Sequence, residues 1–260
     1  MRESLTSSGS ISVVIPAYNE STRLEKTVHS IWRYLDRAGV VFEIIVVDDG
    51  SADDTAAIAQ RLGQQLGRIR LMRLTVNSGK GAAVKTGMLA ATGDYVLFTD
   101  ADESTSIEQL PLLVRPLTDG FDVAMGSRGA RGATIVHGQG WIRQNLGKAA
   151  GMLIRVLLVH GYADSQCGFK CFRRGSVDLI FPRLTVTSAL FDIELLILAG
   201  RAGLRVAEVP ITWVHDPDTR LPYNVRRAVA TFVELLRLRY RWRVWRPVNA
   251  RAVRVGGGAE

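Results

Sequence analysis

The sequence predicts a mixed α/β fold with a mostly parallel sheet flanked by helices. Strand-like apolar runs alternate with helix-like segments through the first half, the order that lays crossover units onto a parallel sheet. Three of those runs end in acidic or polar residues, and an open α/β sheet binds its ligands outside the carboxyl ends of its strands. Strands are expected near 11–16, 41–47, 69–74, 94–99 and 121–126, with helices near 21–38, 53–66, 80–91 and 106–116 between them.

Taken in order, Ile11 to Ile15 runs into Pro16-Ala17-Tyr18-Asn19-Glu20. Phe42 to Val47 runs into Asp48-Asp49-Gly50-Ser51. Asp53 stands where an N-cap precedes the next helix and Gly67 lies just past its end, so that helix carries both of its terminal signals. Asp48 is open to a structural role in ordering its turn, which leaves Asp49 as the member facing a ligand. Gly79-Lys80-Gly81 lets a helix start close to a nucleotide, with Lys80 adding charge.

Tyr95 to Thr99 ends in Asp100-Ala101-Asp102. Two carboxylates two residues apart at the end of a buried strand are costly to hold together without a cation between them. A divalent metal is the natural candidate, and hard oxygen ligands suit Mg²⁺ or Mn²⁺ rather than zinc. The phosphate-loop pattern G-x-x-x-x-G-K-[ST] is absent, because Gly81 follows Lys80 and position 74 is Leu74. No G-x-G-x-x-G follows the first strand, which disfavours a dinucleotide oxidoreductase.

Beyond residue 126 the alternation breaks. Gly126 to Gly140 reads as a long glycine-rich loop with Arg128, Arg131 and His137, a candidate acceptor lid. Trp141 to Val159 reads as an apolar helix, too short to span a bilayer, that packs in the core or lines a groove for an apolar chain. Phe191-Asp192-Ile193-Glu194 reads as a helix entering the core.

Four ordered motifs (Pro16 to Glu20, Val47 to Ser51 with Asp53 and Thr55, Asn77 to Gly81, and Asp100 to Asp102) resemble the nucleotide-sugar half of the family 2 inverting glycosyltransferases with the GT-A fold. Asp164-Ser165-Gln166-Cys167-Gly168-Phe169-Lys170-Cys171-Phe172 resembles the acceptor half of the dolichyl-phosphate or polyprenyl-phosphate sugar synthases, the glucosyl ones somewhat more than the mannosyl ones. The resemblance implies that Asp102 contacts the metal and that Asp100 sits by the ribose and diphosphate, close to the metal. It places Pro16, Ala17, Tyr18, Glu20, Val47, Asp49, Lys80 and Ala101 around the nucleotide sugar. The mannosyl synthases carry a glutamine two residues after the second aspartate; here Ser104 stands there, preceded by Glu103. The donor is expected to be a nucleotide sugar, with UDP-glucose preferred.

A phosphate monoester has a second pKa of about 6 and is already an ionised nucleophile at neutral pH. A transferase using it needs cations to position the acceptor rather than a general base. Arg128, Arg143, Lys170 and Arg220 match basic positions of the polyprenyl-phosphate synthases. Asp102, Arg128 and Lys170 are the expected catalytic group. Two other readings stay open: a hydroxyl acceptor with Asp192 or Glu194 as base, and a non-catalytic membrane-surface binding protein.

Hydrophobic content of 47% and charged content of 22% over 260 residues suit a globular chain with a substantial core. Residues 1–10 and 248–260 read as flexible tails, 11–215 as the GT-A domain, and 216–247 as a basic amphipathic segment. Between Arg220 and Arg246 the sequence has eight arginines against the single acid Glu234, with Trp242 and Trp245 interleaved. That composition suits an anionic membrane surface, with nucleic acid disfavoured. With no membrane-length apolar run and a polar start, the expected location is cytoplasmic, peripheral on the membrane face. A homo-oligomer or a membrane-protein partner is compatible with it. Cys167 and Cys171, the two cysteines, are too few for a disulfide framework or a zinc site and are given no chemistry.

Overall fold

The structure, a computed structural model, describes residues 9–136, 158–214, 225–243, 248–249 and 253–254. The first half is β1 (Ile11–Ala17), α1 (Leu24–Arg37), β2 (Phe42–Asp48), α2 (Thr55–Leu66), β3 (Ile69–Arg73), α3 (Lys80–Ala90), β4 (Tyr95–Thr99), α4 (Leu110–Thr118) and β5 (Val123–Ser127). Every expected strand and helix is present there, displaced by at most a few residues. The second half adds β6 (Thr134–Val136), β7 (Val159–His160), β8 (Phe169–Arg173), α5 (Arg174–Ile180), α6 (Phe191–Arg201), β9 (Val206–Pro210), β10 (Thr212–Val214), α7 (Val225–Arg241), β11 (Val248–Asn249) and β12 (Val253–Arg254).

The main sheet runs β12-β9-β5-β8-β4-β1-β2-β3. All its pairings are parallel except those of β8, which is antiparallel to both β4 and β5. This one reversal matters for the site. Phe169 at the start of β8 is paired with Thr99 at the end of β4, so the loop leading into β8 arrives beside the Asp100-Ala101-Asp102 turn.

Parallel strands covered on both faces must be apolar throughout, and β1, β2 and β4 are buried almost end to end. One face packs under α1, whose Leu24, Val28, Ile31 and Leu35 recur at helical spacing, together with α2 and α4. The other packs under α3, α5, α6 and the inner side of α7, around Phe98, Phe172, Phe181 and Phe191. The Phe191 helix enters the core as expected: nine of its residues, Phe191 to Ala199, are buried.

Several second-half expectations change. The glycine-rich segment is not wholly loop, because β-branched Thr134-Ile135-Val136 pairs with β10. Val159 is not helical; it pairs with Val248 in a short parallel bridge. Leu158 lies in a turn and is buried, and residues 141–157 of the expected apolar helix, including Arg143, lie outside the described residues, as do His137 of the expected loop, Arg220 and residues 1–8. Ser10, assigned to the tail, is tied down through its backbone N–H and hydroxyl to Asp94 at 2.8 and 2.7 Å. The segment expected as a C-terminal tail contributes β11 and β12, the latter extending the main sheet beyond β9.

α7 is attached to the body rather than free. Leu235 and Leu238 are buried in the core, Ser188 donates to Glu234 at 2.7 Å, and the Trp242 indole donates to Glu194 at 2.8 Å. Its outer side exposes Phe232, Leu236 and Tyr240 at four-residue spacing, with Arg237 and Arg243 beside them. Among the described residues no helix is long and apolar enough to cross a membrane.

Candidate active site

The carboxyl ends of β1, β2 and β4 meet at one edge, and backbone-directed hydrogen bonds lace their loops together. The Asn19 side chain accepts from Ala52 N–H at 2.9 Å, and the Asn19 and Glu20 N–H groups donate to the Ser51 and Thr55 hydroxyls. Asp48 is structural: it accepts from Ser51 N–H at 3.0 Å and pairs with Arg73 at 3.1 Å. Asp53 likewise accepts from Thr55 and Ser21 N–H groups. Partial burial works against its charge, but these hydrogen bonds outweigh burial and hold its pKa down to about 2.

Asp49, expected to face the ligand, holds a turn. Its two oxygens accept the Ser78 and Gly79 N–H groups at 2.7 and 2.9 Å, which fixes the start of α3 against β2. Gly79 sits at φ 98° with the Thr187 carbonyl packed where a Cβ would stand, so a side chain is excluded twice over. Val47 and Ala17 are core residues, and Val47 packs under Gly87 of α3. Pro16 is the paired neighbour of Val47 inside the sheet. Tyr18 is 45% exposed at the rim, its ring open to a planar ligand. Glu20 is bound to Arg23 through both oxygens.

The turn after β4 carries the charge. Lys80 Nζ lies 2.6 Å from Asp100 Oδ1. Burial alone would lower the Lys80 pKa, but Asp100, then Asp192, raise it above the ordinary lysine value. Asp102 moves up, first through burial and then through the neighbouring charge of Asp100, and accepts from Ser104 N–H at 3.0 Å. The Ala101 carbonyl accepts from Thr27 of α1 at 2.7 Å, anchoring the turn. Glu103 points away, bonded to Ser30 with Lys26 at 3.8 Å, on the wall of a separate cavity of about 740 Å³ beside α1.

Across the edge, the loop before β8 presses its backbone on the same turn: a Cβ at Gly168 would collide with the Asp100 carboxylate. Lys170 departs from its expected role as an acceptor-phosphate ligand. It is 0% exposed, donates to the Cys167 carbonyl and to Asp192 at 2.6 Å each, and sits 5.4 Å from the centroid of the Phe98 ring. A lysine on an interior strand needs a buried countercharge, and Asp192 supplies it; burial pushes the Asp192 carboxyl up, with Lys170 opposing. Glu194 accepts from Thr185 N–H and hydroxyl, Val186 N–H and the Trp242 indole, so its oxygens are filled. Both residues weighed as bases are thus committed to structural partners.

Arg128 reaches the edge at the end of β5, but paired. Its Nε and Nη2 donate to Asp164 at 2.6 and 3.0 Å, and the Trp213 ring lies 5.5 Å from the guanidinium carbon. Asp164, Glu208 and Trp213 went unassigned in the sequence reading. Glu208, an acid inside the apolar strand Val206–Pro210, was the readable signal for a buried partner. The two cysteines are buried, and burial pushes both thiols up to about 12, consistent with no chemistry there.

Asp100, Asp102, Asp164 and Asp192 face Lys80, Arg128 and Lys170, and Arg23, itself paired with Glu20, also acts on Asp102, so carboxylates outnumber cations by one in this cluster. A divalent cation suits that excess and the hard-oxygen donor pair Asp100 and Asp102. Among the described residues no third His, Cys, Asp or Glu joins them.

The mostly parallel sheet flanked by helices, with acidic strand ends, is of the GT-A fold class. Glucosyl-3-phosphoglycerate synthase from Mycobacterium tuberculosis, crystallised with phosphoglyceric acid, matches at TM-score 0.69 and 23% identity, covering 93% of this chain and 82% of its own. A crystal of the same enzyme with Mn²⁺, UDP and glucosyl-3-phosphoglycerate matches at TM-score 0.67 and 23% identity, covering 93% and 82%. The chain belongs to glycosyl transferase family 2, whose model matches residues 12–178. A dolichyl-phosphate beta-glucosyltransferase of Trichomonas vaginalis is 35% identical over 242 residues, covering 89% of this chain and 72% of the relative. The human dolichyl-phosphate beta-glucosyltransferase is 32% identical over 250 residues, covering 91% and 77%.

Proposed function

We propose that this glycosyltransferase moves a sugar, with UDP-glucose the preferred donor, onto the phosphate of a polyprenyl or dolichyl lipid with inversion, forming a β-linked lipid-phosphate sugar and a nucleoside diphosphate. The observation that carries the reading is the alternating charge cluster between the ends of β4 and β5, in which donor-side carboxylates and an acceptor-side arginine meet without a free base among the described residues. The named relatives act in the same sense.

Asp100 and Asp102 would hold Mg²⁺ or Mn²⁺, which would supply Lewis-acid stabilisation of the charge on the departing diphosphate. Lys80 turns from Asp100 to the diphosphate at the start of α3. Tyr18 stacks on the base, and Asp49 shapes the pocket by fixing the Ser78–Gly79 turn. On the other side Arg128 positions the acceptor phosphate. That phosphate needs no proton removed before it attacks, which fits the commitment of Asp192 to Lys170 and of Glu194 to the Thr185 loop. Lys170 supports the site by neutralising Asp192. The exposed Phe232, Leu236 and Tyr240, set among arginines, lay α7 on an anionic membrane face on the cytoplasmic side, where a lipid acceptor is presented.

The test is to incubate the protein with Mn²⁺ or Mg²⁺, a panel of UDP- and GDP-sugars and a short polyprenyl phosphate, and follow the sugar-lipid by mass spectrometry. A metal-dependent product that falls at least about a hundredfold in Asp102→Ala is expected. Nucleotide-sugar binding with no lipid product would reject the acceptor.

A further inference from the structure

Arg128 is the described cation nearest to an acceptor role, yet it is not free to choose its orientation. Asp164 grips it along one side, through Nε and Nη2, and accepts from its backbone N–H at 3.1 Å as well. Nη1 makes no hydrogen bond among the described residues. A guanidinium bound side-on by one carboxylate retains its Nη1/Nη2 edge as a second planar fork, and such a fork matches two oxygens of a phosphate. Trp213 from β10 covers one face of the group.

Asp164 is itself fixed. Its N–H donates to Glu208 at 2.9 Å, its neighbour Ala163 donates to the same carboxylate at 2.8 Å, and Gln166 N–H donates to Asp164 Oδ1 at 3.1 Å. Glu208 is 0% exposed on β9, a strand hydrogen-bonded directly to β5, which delivers Arg128. The guanidinium is close enough to Asp100 for that charge to act on it, so the held fork lies at the boundary between the donor and acceptor sides.

We infer that Asp164, backed by Glu208, is a positioning residue that aims the free edge of Arg128 at the phosphate monoester of the acceptor. The inference rests on the proposed transfer to a lipid phosphate. Asp164 also cancels the net charge of Arg128, so it contributes direction rather than attraction. Removing its charge therefore leaves acceptor binding intact or tighter while the bound phosphate loses its alignment for attack.

The experiment measures kcat and acceptor KM with a short polyprenyl phosphate for wild type, Asp164→Asn, Arg128→Lys, Arg128→Ala and the Asp164→Asn/Arg128→Ala double variant, with UDP affinity and melting temperature for each. In Asp164→Asn, kcat is expected to fall about tenfold or more without a rise in acceptor KM and without change in UDP affinity. Arg128→Lys keeps the charge but has no fork, leaves no buried carboxylate without a cation, and is expected to show the same split. The double variant should match Arg128→Ala within about twofold, because Asp164 acts through Arg128. A full additional loss in the double variant, or a rise in KM alone, overturns the role of Asp164. So does a fall in UDP affinity in step with melting temperature, which marks a merely structural residue. Absence of product from the wild type with every donor overturns the underlying reaction and the inference together.

Discussion

The proposed donor edge, built by the ends of β1, β2 and β4, and the proposed acceptor edge, built by β5, β8 and the start of α6, handle charge in opposite ways. On the donor edge most acids are satisfied by the backbone: Asp48, Asp49 and Asp53 accept main-chain N–H groups from the turns they hold. On the acceptor edge the described cations are satisfied by side-chain carboxylates, Arg128 by Asp164 and Lys170 by Asp192. The donor edge is thus a set of preformed turns with Asp100 and Asp102 left at its rim. The acceptor edge is a set of ion pairs in which orientation has been chosen over free charge.

That contrast breaks most severely at Lys170. Lys170→Met strands the Asp192 carboxylate in the core and is expected to cost about 3–5 kcal/mol of stability in denaturant unfolding. Converting the partner as well, in Lys170→Met/Asp192→Leu, should recover most of that loss, since two apolar groups need no countercharge. If the single variant keeps wild-type stability, Lys170 is not the structural half of a buried pair.

Lys80 sharpens the comparison from the other side. It is a third exposed and borders the donor edge, so Lys80→Ala should leave unfolding nearly unchanged. Its effect belongs to turnover: losing a charge-assisted contact of about 1.5–3 kcal/mol predicts roughly a ten- to hundredfold fall in kcat/KM for the nucleotide sugar. Steady-state kinetics beside a denaturation curve would separate the two lysines, one structural and one functional.

The smallest effect concerns the turn acids. Asp53 has a folded pKa lowered to about 2 against about 3.9 in an unfolded chain, so its stabilisation is fully present above about pH 4 and lost as pH falls toward 2. Acid unfolding of wild type and Asp53→Asn should show a gap above pH 4 that closes at the acid end. A gap that persists at pH 2 would mean the side chain acts by shape rather than by charge.

The same contrast explains what the sequence made readable. In the first half each strand is an apolar run and each site residue lies within a few positions of its strand end, so motif and geometry coincide. β8 hid because Phe169-Lys170-Cys171-Phe172-Arg173 places a lysine inside a buried run, which breaks a strand pattern unless the partner at Asp192 is known. Lys170 reads as a phosphate ligand because a cation in sequence carries no sign of the carboxylate that meets it in space, and for the same reason Asp164 goes unnoticed as the partner of Arg128. Asp49 reads as facing the ligand for a similar reason: its partners are backbone N–H groups of a loop that begins after the next strand.

The reversed strand also sets the order in which the chain can become safe. Until Phe169 to Arg173 has been synthesised, the β4 edge from Tyr95 to Thr99 has no hydrogen-bonding neighbour on that side, while β1, β2 and β3 are available to assemble. A nascent chain stopped between those points carries an open, wholly apolar strand edge, the surface on which chains pair with one another. Truncations ending before β8 should therefore aggregate, and those reaching past Arg173 should be the first to stay dispersed.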